Sequence, residues 1–159
     1  MIKRLLYFAL FTGLLLQAIP AKSQNGNGHT GCENPFILHQ ADSVKAELSK
    51  QGFIVVKEAS ITMESEYEMP VIVPLTQGSW YQFVFIGDMT SRLYEVRMFD
   101  WDEKQVAYQK KQSGDVDGNV ISYSYIPKFS EYHMMKPVQV NKDKKNLCGY
   151  VMLLKKVKQ

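Results

Sequence analysis

The sequence has little of what usually identifies a catalytic or cofactor-binding chain. Its 159 residues include only 2 cysteines and 3 histidines. Neither a G-x-S-x-G nucleophile motif nor a G-x-x-x-x-G-K-[ST] phosphate loop occurs. Two cysteines without suitably spaced histidines do not form a zinc site. These absences argue against the common nucleophilic, nucleotide-binding and zinc-dependent activities, and the sequence implies no cofactor.

An excess of one charge is also missing once the N-terminal segment is set aside. The formal net charge is +3, and Lys3, Arg4 and Lys22 lie in the first 23 residues without any acid. Without these three, the chain has 16 basic and 16 acidic residues. A neutral chain offers no general attraction for a phosphate backbone, so nucleic acid is not an expected partner.

Long hydrophobic runs are confined to the N-terminus. An apolar run over residues 5–16 follows Lys3-Arg4, and Ala21 and Ser23 place small residues where signal peptidase cleaves. This pattern predicts a signal peptide over residues 1–23 and export to the periplasm or the cell exterior. No later run approaches about 18 apolar residues, so no transmembrane helix is expected in the mature chain.

Two alternatives for this segment remain open. The apolar run could stay in place as an N-terminal anchor, although it is short for a membrane span. Thr30-Gly31-Cys32 resembles the end of a lipobox, which would make Cys32 a lipidation site, although His29 stands where an aliphatic residue is expected.

Two cysteines in an exported chain predict one disulfide bond, between Cys32 and Cys148. The bond would close a loop of more than about a hundred residues, which the chain-entropy model values at about 4–5 kcal/mol. It would attach the segment before the first folded element to the final strand. Two unpaired buried thiols are the alternative.

One helix and a series of strands are predicted within a single domain over residues 32–159. Residues 24–31 are polar and glycine-rich, which predicts a flexible mature N-terminus. Asn34 can cap a helix, Pro35 suits its first position and Gly52 can end it. An apolar stripe at helical spacing supports it, formed by Ile37, Ala41, Val44 and Leu48.

Strand-like runs then follow one another to the C-terminus. They begin at residue 53 and continue at 71–73, 80–86, 92–101, 104–111, 120–126, 132–140 and 147–157. The run at 80–86 is apolar on both faces apart from Gln82, which predicts a central strand that is covered on both sides. The fold class predicted is all-β: an antiparallel, jelly-roll-like β-sandwich with one N-terminal α-helix.

Four groups of residues resemble a known type of secreted bacterial β-sandwich. They are Leu75-x-x-Gly78-x-x-Tyr81-x-Phe83, residues 93–100 followed by Asp102, Tyr123-x-Tyr125-x-Pro127 followed by Tyr132, and Cys148-Gly149-Tyr150. In this spacing the chain is similar to modules of the pre-peptidase C-terminal kind and, more loosely, to GOLD-type sandwiches. It departs from them by having a helix in front and no attached peptidase. The resemblance implies a non-catalytic jelly-roll-like module and no active-site residue.

A weak calcium motif lies at residues 113–120. In an EF-hand frame, Asp115 and Asp117 would occupy positions 3 and 5, and Gly118 position 6. Position 1 is Ser113 and position 12 is Ser124, so both strong carboxylate ligands are missing. Asp115 and Asp117 are therefore only weak metal candidates, and we expect a hairpin turn here instead.

An acidic turn around an indole provides the candidate ligand-binding residues, Asp100, Trp101, Asp102 and Glu103. Glycoside hydrolysis needs a cleft that holds two carboxylates about 5–9 Å apart, and adjacent acids on a tight turn do not form one alone. An exposed Trp101 could stack on a sugar ring while the acids accept hydrogen bonds from its hydroxyls. A solvated turn with a packed Trp101 is the alternative.

Other residues of interest have structural explanations that we favour. His133 is expected on the surface of a strand. The tyrosines of the strand region are expected mainly in the core rather than on a binding platform. Met134-Met135 could form an adaptable contact surface. From Lys136 onward there are seven lysines and one acid, which predicts a lysine-protected last strand, with a basic surface for an anionic partner as the alternative.

The sequence therefore predicts a secreted or periplasmic, non-enzymatic β-sandwich that binds a protein or carbohydrate at the cell envelope. An envelope glycan-acting enzyme that uses Asp100, Asp102 and Glu103 is the first alternative. The second is a structural subunit of an envelope assembly that adds a strand at an exposed sheet edge. The partner itself is not predicted.

Overall fold

The computed structural model describes residues 31–116 and 118–157. The predicted signal peptide and residues 24–30 of the predicted flexible N-terminus therefore lie outside the described residues. The described chain forms α1 (Pro35–Lys50), β1 (Phe53–Glu64), β2 (Val71–Leu75), β3 (Tyr81–Gly87), β4 (Leu93–Phe99), β5 (Gln105–Gln112), β6 (Val120–Tyr125), β7 (Glu131–Val140) and β8 (Asn146–Lys156). No helix among these residues is long and apolar enough to cross a membrane.

The eight strands form two antiparallel four-stranded sheets. Sheet A has the order β1-β8-β3-β6 and sheet B the order β2-β7-β4-β5. Successive strands alternate between the sheets in most of the chain, which is the arrangement of an eight-stranded jelly roll. The predicted fold class, an all-β sandwich with one helix, is confirmed.

Helix α1 begins and ends at the predicted residues because its terminal backbone groups find partners there. The Asn34 side chain accepts hydrogen bonds from the backbone N–H groups of Phe36 and Ile37, and Pro35 follows as the first helical residue. After Lys50 the chain turns through Gly52, whose φ of +84° is a conformation that favours glycine.

The helix forms a third layer on the outer face of sheet A. Its buried Ile37, Ala41 and Leu48 pack in one cluster with residues of β3 and β8 such as Ile86 and Met152. The opposite faces of β3 and β8 pack against sheet B in two further clusters. Strand β3 is therefore covered on both sides, as its continuous apolar run predicts.

The disulfide bond between Cys32 and Cys148 is present, with Cα atoms 5.3 Å apart. It attaches the segment before α1 to β8, an inner strand of sheet A. Because the Cys32 sulfur is used in this bond, the lipidation alternative for Cys32 does not hold for this structure.

Three local predictions are wrong. The turn at 113–119 is not a hairpin, because β5 belongs to sheet B and β6 to sheet A, so it crosses between the sheets. The last strand, β8, is not an edge strand that lysines protect; it lies between β1 and β3. Strand β2 does not stop at Pro74 but continues to Leu75, which an edge strand allows.

Candidate functional site

The two ends of the sandwich differ in how many large apolar side chains they expose. One end, here called the Trp end, consists of the connections 76–80, 100–104 and 126–130 together with Gly52 and Val157. It gathers large, exposed apolar side chains from distant parts of the sequence: Trp80, Trp101, Ile126, Phe129, Tyr132 and Val157. The other end, here called the polar end, consists of the connections 65–70, 88–92 and 141–145 and the crossing from β5 to β6, and it exposes fewer large apolar side chains: Tyr67, Met89 and Val116. Exposed apolar groups that converge in one place are typical of a binding surface.

Two connections of the Trp end, 76–80 and 126–130, are joined by hydrogen bonds. The backbone N–H of Gly78 donates to the carbonyl oxygen of Pro127 over 3.0 Å, and that of Gln77 donates to the Ser130 hydroxyl over 2.9 Å. The N–H of Thr76 donates to the Tyr81 hydroxyl over 3.0 Å. These two connections therefore present their side chains from a backbone that is held in place.

Trp101 lies beside Tyr132 at this end. The two ring centroids are 6.1 Å apart and the ring planes are inclined at 48°. Trp101 comes from the β4–β5 turn and is 69% exposed, and Tyr132 comes from β7 and is 54% exposed. The predicted candidate Trp101 is thus not packed into the protein. Its partner Tyr132 is 31 positions away in the sequence, and nothing in the sequence pattern predicts the pair.

The acids of this turn have different roles. One carboxylate oxygen of Asp100 accepts a hydrogen bond from the backbone N–H of Lys104 over 2.9 Å, so Asp100 helps to fold the turn. Glu103 has a φ of +58°, which places it at the tight point of the turn. Asp102 and Glu103 are exposed. The turn presents these two carboxylates to solvent next to the exposed indole.

Burial and two nearby carboxylates act on the Tyr125 hydroxyl under this surface. Burial raises the pKa of Tyr125, and the negative charges of Asp100 and Glu131 raise it further. Its hydroxyl lies 3.2 Å from Nε2 of His133. The neutral phenol is therefore the form that this environment favours.

The prediction that His133 lies on the surface is wrong. Its side chain is 2% exposed and points between the sheets, where the ring lies edge-on to Tyr125 with centroids 5.3 Å apart. Neighbouring residues of a strand point to opposite faces, and the prediction chose the wrong face. His133 pairs with the buried Val73, so both side chains face inward. His133 is a hydrogen-bonded core residue.

Most tyrosines of the strand region confirm the core prediction, and two do not. Tyr81, Tyr94 and Tyr150 are buried, and Tyr123 and Tyr125 are half-buried. Tyr108 and Tyr132 are exposed on the outer face of sheet B. Of the two predicted contact methionines, Met135 is buried between the sheets and Met134 is half-buried on the outer face.

The weak metal site has no support among the described residues. Asp115 uses a carboxylate oxygen to accept a hydrogen bond from the backbone N–H of Gln112 over 2.7 Å, which stabilises the crossing between the sheets. Asp117 lies outside the described residues. Within residues 31–116 and 118–157, no three His, Cys, Asp or Glu side chains come together as a possible metal site.

The lysines after Met135 do not form one basic end. Lys136 pairs with Glu68, and Lys144 and Lys145 pair with Asp88 and Glu64 near the polar end. Lys155 and Lys156 lie at the Trp end. Lysines that are close together in the sequence therefore lie at different places in the folded protein.

A cleft of about 920 Å³ opens at the Trp end beside Trp80. It is lined by Lys50, Gln51, Gly52, Ile54, Gly78, Ser79, Trp80, Ile126, Lys155, Lys156 and Val157. A second cleft, of about 410 Å³, lies between α1 and β6. The acids of the 100–104 turn line neither of these two clefts.

Sequence reasoning missed the Trp80 cleft. Trp80 was expected inside the central strand, but β3 begins one residue later and the indole is 42% exposed. The other lining residues come from four separate connections or strand ends. No local pattern indicates that they meet.

Comparisons with known proteins give distant structural similarities only. No protein-family model and no curated protein matches the sequence. The carbohydrate-binding module TmCBM61, solved in complex with β-1,4-galactotriose, is similar with 12% identity and a TM-score of 0.36, over 67% of this chain and 84% of that chain. Dimeric latent PorU from Porphyromonas gingivalis is similar with 10% identity and a TM-score of 0.33, over 64% of this chain and 13% of that chain. The resemblance to pre-peptidase C-terminal and GOLD-type modules stays a prediction.

Proposed function

We propose that the protein is an exported, non-catalytic binding module that holds a neutral glycan at the cell envelope through Trp101 and Tyr132. The observation that carries the proposal is the exposed pair of rings at the Trp end. Leaving this much aromatic surface in water contributes little to folding, whereas covering it with a ligand is favourable by roughly 25 cal/mol per Å².

The surroundings of the pair favour a hydroxyl-rich ligand over a protein surface. The centre of a protein–protein interface is depleted of charged residues. Here Asp100, Asp102 and Glu103 stand in the same turn as Trp101, where carboxylates can accept hydrogen bonds from sugar hydroxyls. These negative charges also disfavour an anionic glycan at this surface.

Two features support a binding role over the alternatives. The three acids of the turn belong to neighbouring positions, and hydrolysis needs carboxylates on opposite sides of the bond that is cut. Strand addition is discouraged at the edges of sheet B, because β2 contains Pro74 and β5 contains Lys110 and Lys111. Export is supported by the disulfide bond, since such bonds persist in oxidising compartments.

The test is a glycan array followed by titration calorimetry with the best binder. We expect Trp101→Ala and Tyr132→Ala each to weaken binding at least tenfold, about 1.4 kcal/mol. Tyr67→Ala is the matched control, because Tyr67 is 65% exposed but lies at the polar end. It should leave the affinity within twofold of the unmodified chain.

Three results would contradict parts of this proposal. Binding that survives Trp101→Ala and Tyr132→Ala would remove the proposed site. Cleavage of the glycan that is lost in Asp102→Asn would make the protein an enzyme. Capture of an envelope protein in place of any glycan would favour a protein partner. For export, intact mass of the secreted or periplasmic product should show Gln24 as the first residue.

A further inference from the structure

We propose that the cleft beside Trp80 binds an amphipathic anion, in which a carboxylate or phosphate group is joined to an alkyl chain. This site is separate from the Trp101–Tyr132 pair and does not depend on the proposed glycan binding. Its volume of about 920 Å³ lies within the range of small-molecule sites. The inference depends on which charged and apolar side chains line it.

The charged side chains that line the cleft are all basic. Lys50, Lys155 and Lys156 line it, and no Asp or Glu does so among the residues that the structure describes. The negative end of the α1 dipole also lies here, but the last carbonyls of α1 accept hydrogen bonds from the N–H groups of Gln51 and Gly52, and Lys50 adds positive charge. The cleft therefore favours an anionic group.

Two of the three ammonium groups are positioned by aromatic rings before any ligand binds. Nζ of Lys156 lies 4.2 Å from the centroid of the Trp80 ring and 5.6 Å from that of Phe53. Nζ of Lys155 lies 5.7 Å from the centroid of the Tyr81 ring. These cation–π contacts reduce the conformational entropy that the lysines lose when they pair with an anion.

Apolar side chains also line the cleft and lie next to the lysines, since Ile54 pairs with Lys155 and Trp80 lies against Lys156. Ile54, Trp80, Ile126 and Val157 line it, and each is between 42% and 55% exposed. Lysines that serve only to keep the protein soluble do not require exposed apolar side chains beside them. An inorganic anion would leave these side chains in water, whereas an alkyl chain attached to the anion would cover them.

Fluorescence of Trp80 can report on this cleft alone. The chain has 2 tryptophans, so Trp101→Phe leaves Trp80 as the single indole. In that variant we expect decyl phosphate and decanoate, below their micelle-forming concentrations, to change Trp80 emission saturably. Decyltrimethylammonium has the same chain with a positive head group and should bind at least tenfold more weakly. Inorganic phosphate, which lacks the chain, should also bind at least tenfold more weakly.

Calorimetry on charge variants locates the anion. Lys155→Gln with Lys156→Gln should weaken decyl phosphate binding at least tenfold, and Lys50→Gln should weaken it severalfold. Lys142→Gln removes the same charge at the polar end and should stay within twofold. Lys50 is exposed, so its variant keeps the test valid if the double variant folds poorly.

The outcomes separate clearly. Equal affinity for the anionic and cationic decyl compounds, or for decyl phosphate and phosphate, would overturn the proposal. The proposal would also be overturned if Lys142→Gln lost as much affinity for decyl phosphate as Lys50→Gln, since this would show a general effect of charge. Glycan binding is read from Trp101 and Tyr132, so its failure leaves this result unaffected.

Discussion

Asp88 shows what a single side chain does at the polar end. Its carboxylate accepts hydrogen bonds from Nζ of Lys144 over 2.7 Å, from the hydroxyl of Thr90 over 2.7 Å, and from the backbone N–H of Cys148 over 3.3 Å. Burial alone would raise the pKa of Asp88, but these hydrogen bonds outweigh it and lower the pKa to about 2. The carboxylate therefore joins the β3–β4 connection to β8.

We predict a specific pH dependence from this residue. Because the pKa of Asp88 is lower in the folded state than its ordinary value of 3.8, its stabilisation is present above about pH 4 and is lost as the pH falls towards 2. The contribution is about 2 kcal/mol. Urea unfolding between pH 5 and pH 2.5 should show a shallower loss of stability in Asp88→Asn than in the unmodified chain.

The control for this prediction is Asp143→Asn, which removes an exposed carboxylate from the same end. It should keep the pH slope of the unmodified chain. If both variants show the same slope as the unmodified chain, Asp88 does not stabilise the folded state in the way we describe.

At the scale of single residues, the sequence indicates candidate residues but does not predict which residues are buried. Trp101 is a candidate because an indole among three acids stands out locally. The burial of His133 and the exposure of Trp80 depend on which face of a strand each residue occupies and on where β3 begins. A shift of one residue reverses the face, and local residues do not fix that register.

Among the elements, α1 is the one whose position follows from local signals alone. Its cap, its first-turn proline and its terminating glycine lie within 19 residues, from Asn34 to Gly52. Apolar runs predict approximately where the strands lie, but not where β2 ends or where β3 begins. The pairing of the strands does not follow from local signals either, because β8 contacts β1 and β3 across most of the chain. The inner position of β8 and the crossing at 113–119 were therefore beyond sequence reasoning.

The packing of α1 gives a prediction with a neighbouring control. Ile37 is 2% exposed against sheet A, whereas the next residue, Leu38, is 38% exposed. Ile37→Ala should lower the free energy of unfolding by about 2–4 kcal/mol, because it removes buried methyl groups and leaves a cavity. Leu38→Ala should cost less than about 1 kcal/mol. Urea unfolding measures both, and equal losses would show that α1 does not pack as described.

For the molecule as a whole, β3 and β8 join the two layers of packing. Val84 and Met152 face α1, while Phe83 and Leu153 face sheet B. Unfolding of α1 would expose the outer face of sheet A to water, and separation of the sheets would expose its inner face. Each core therefore depends on the same two strands.

This sharing predicts one cooperative unfolding transition. Far-ultraviolet circular dichroism reports on α1 and the sheets, and tryptophan fluorescence reports on the Trp end. Both should give the same urea midpoint, since neither layer is stable without β3 and β8. Met152 is fully buried. Met152→Ala should lower both urea midpoints together, because it should lower the free energy of unfolding by about 2–5 kcal/mol. A variant whose circular dichroism midpoint falls while its fluorescence midpoint stays would show that the helix layer unfolds independently of the sandwich.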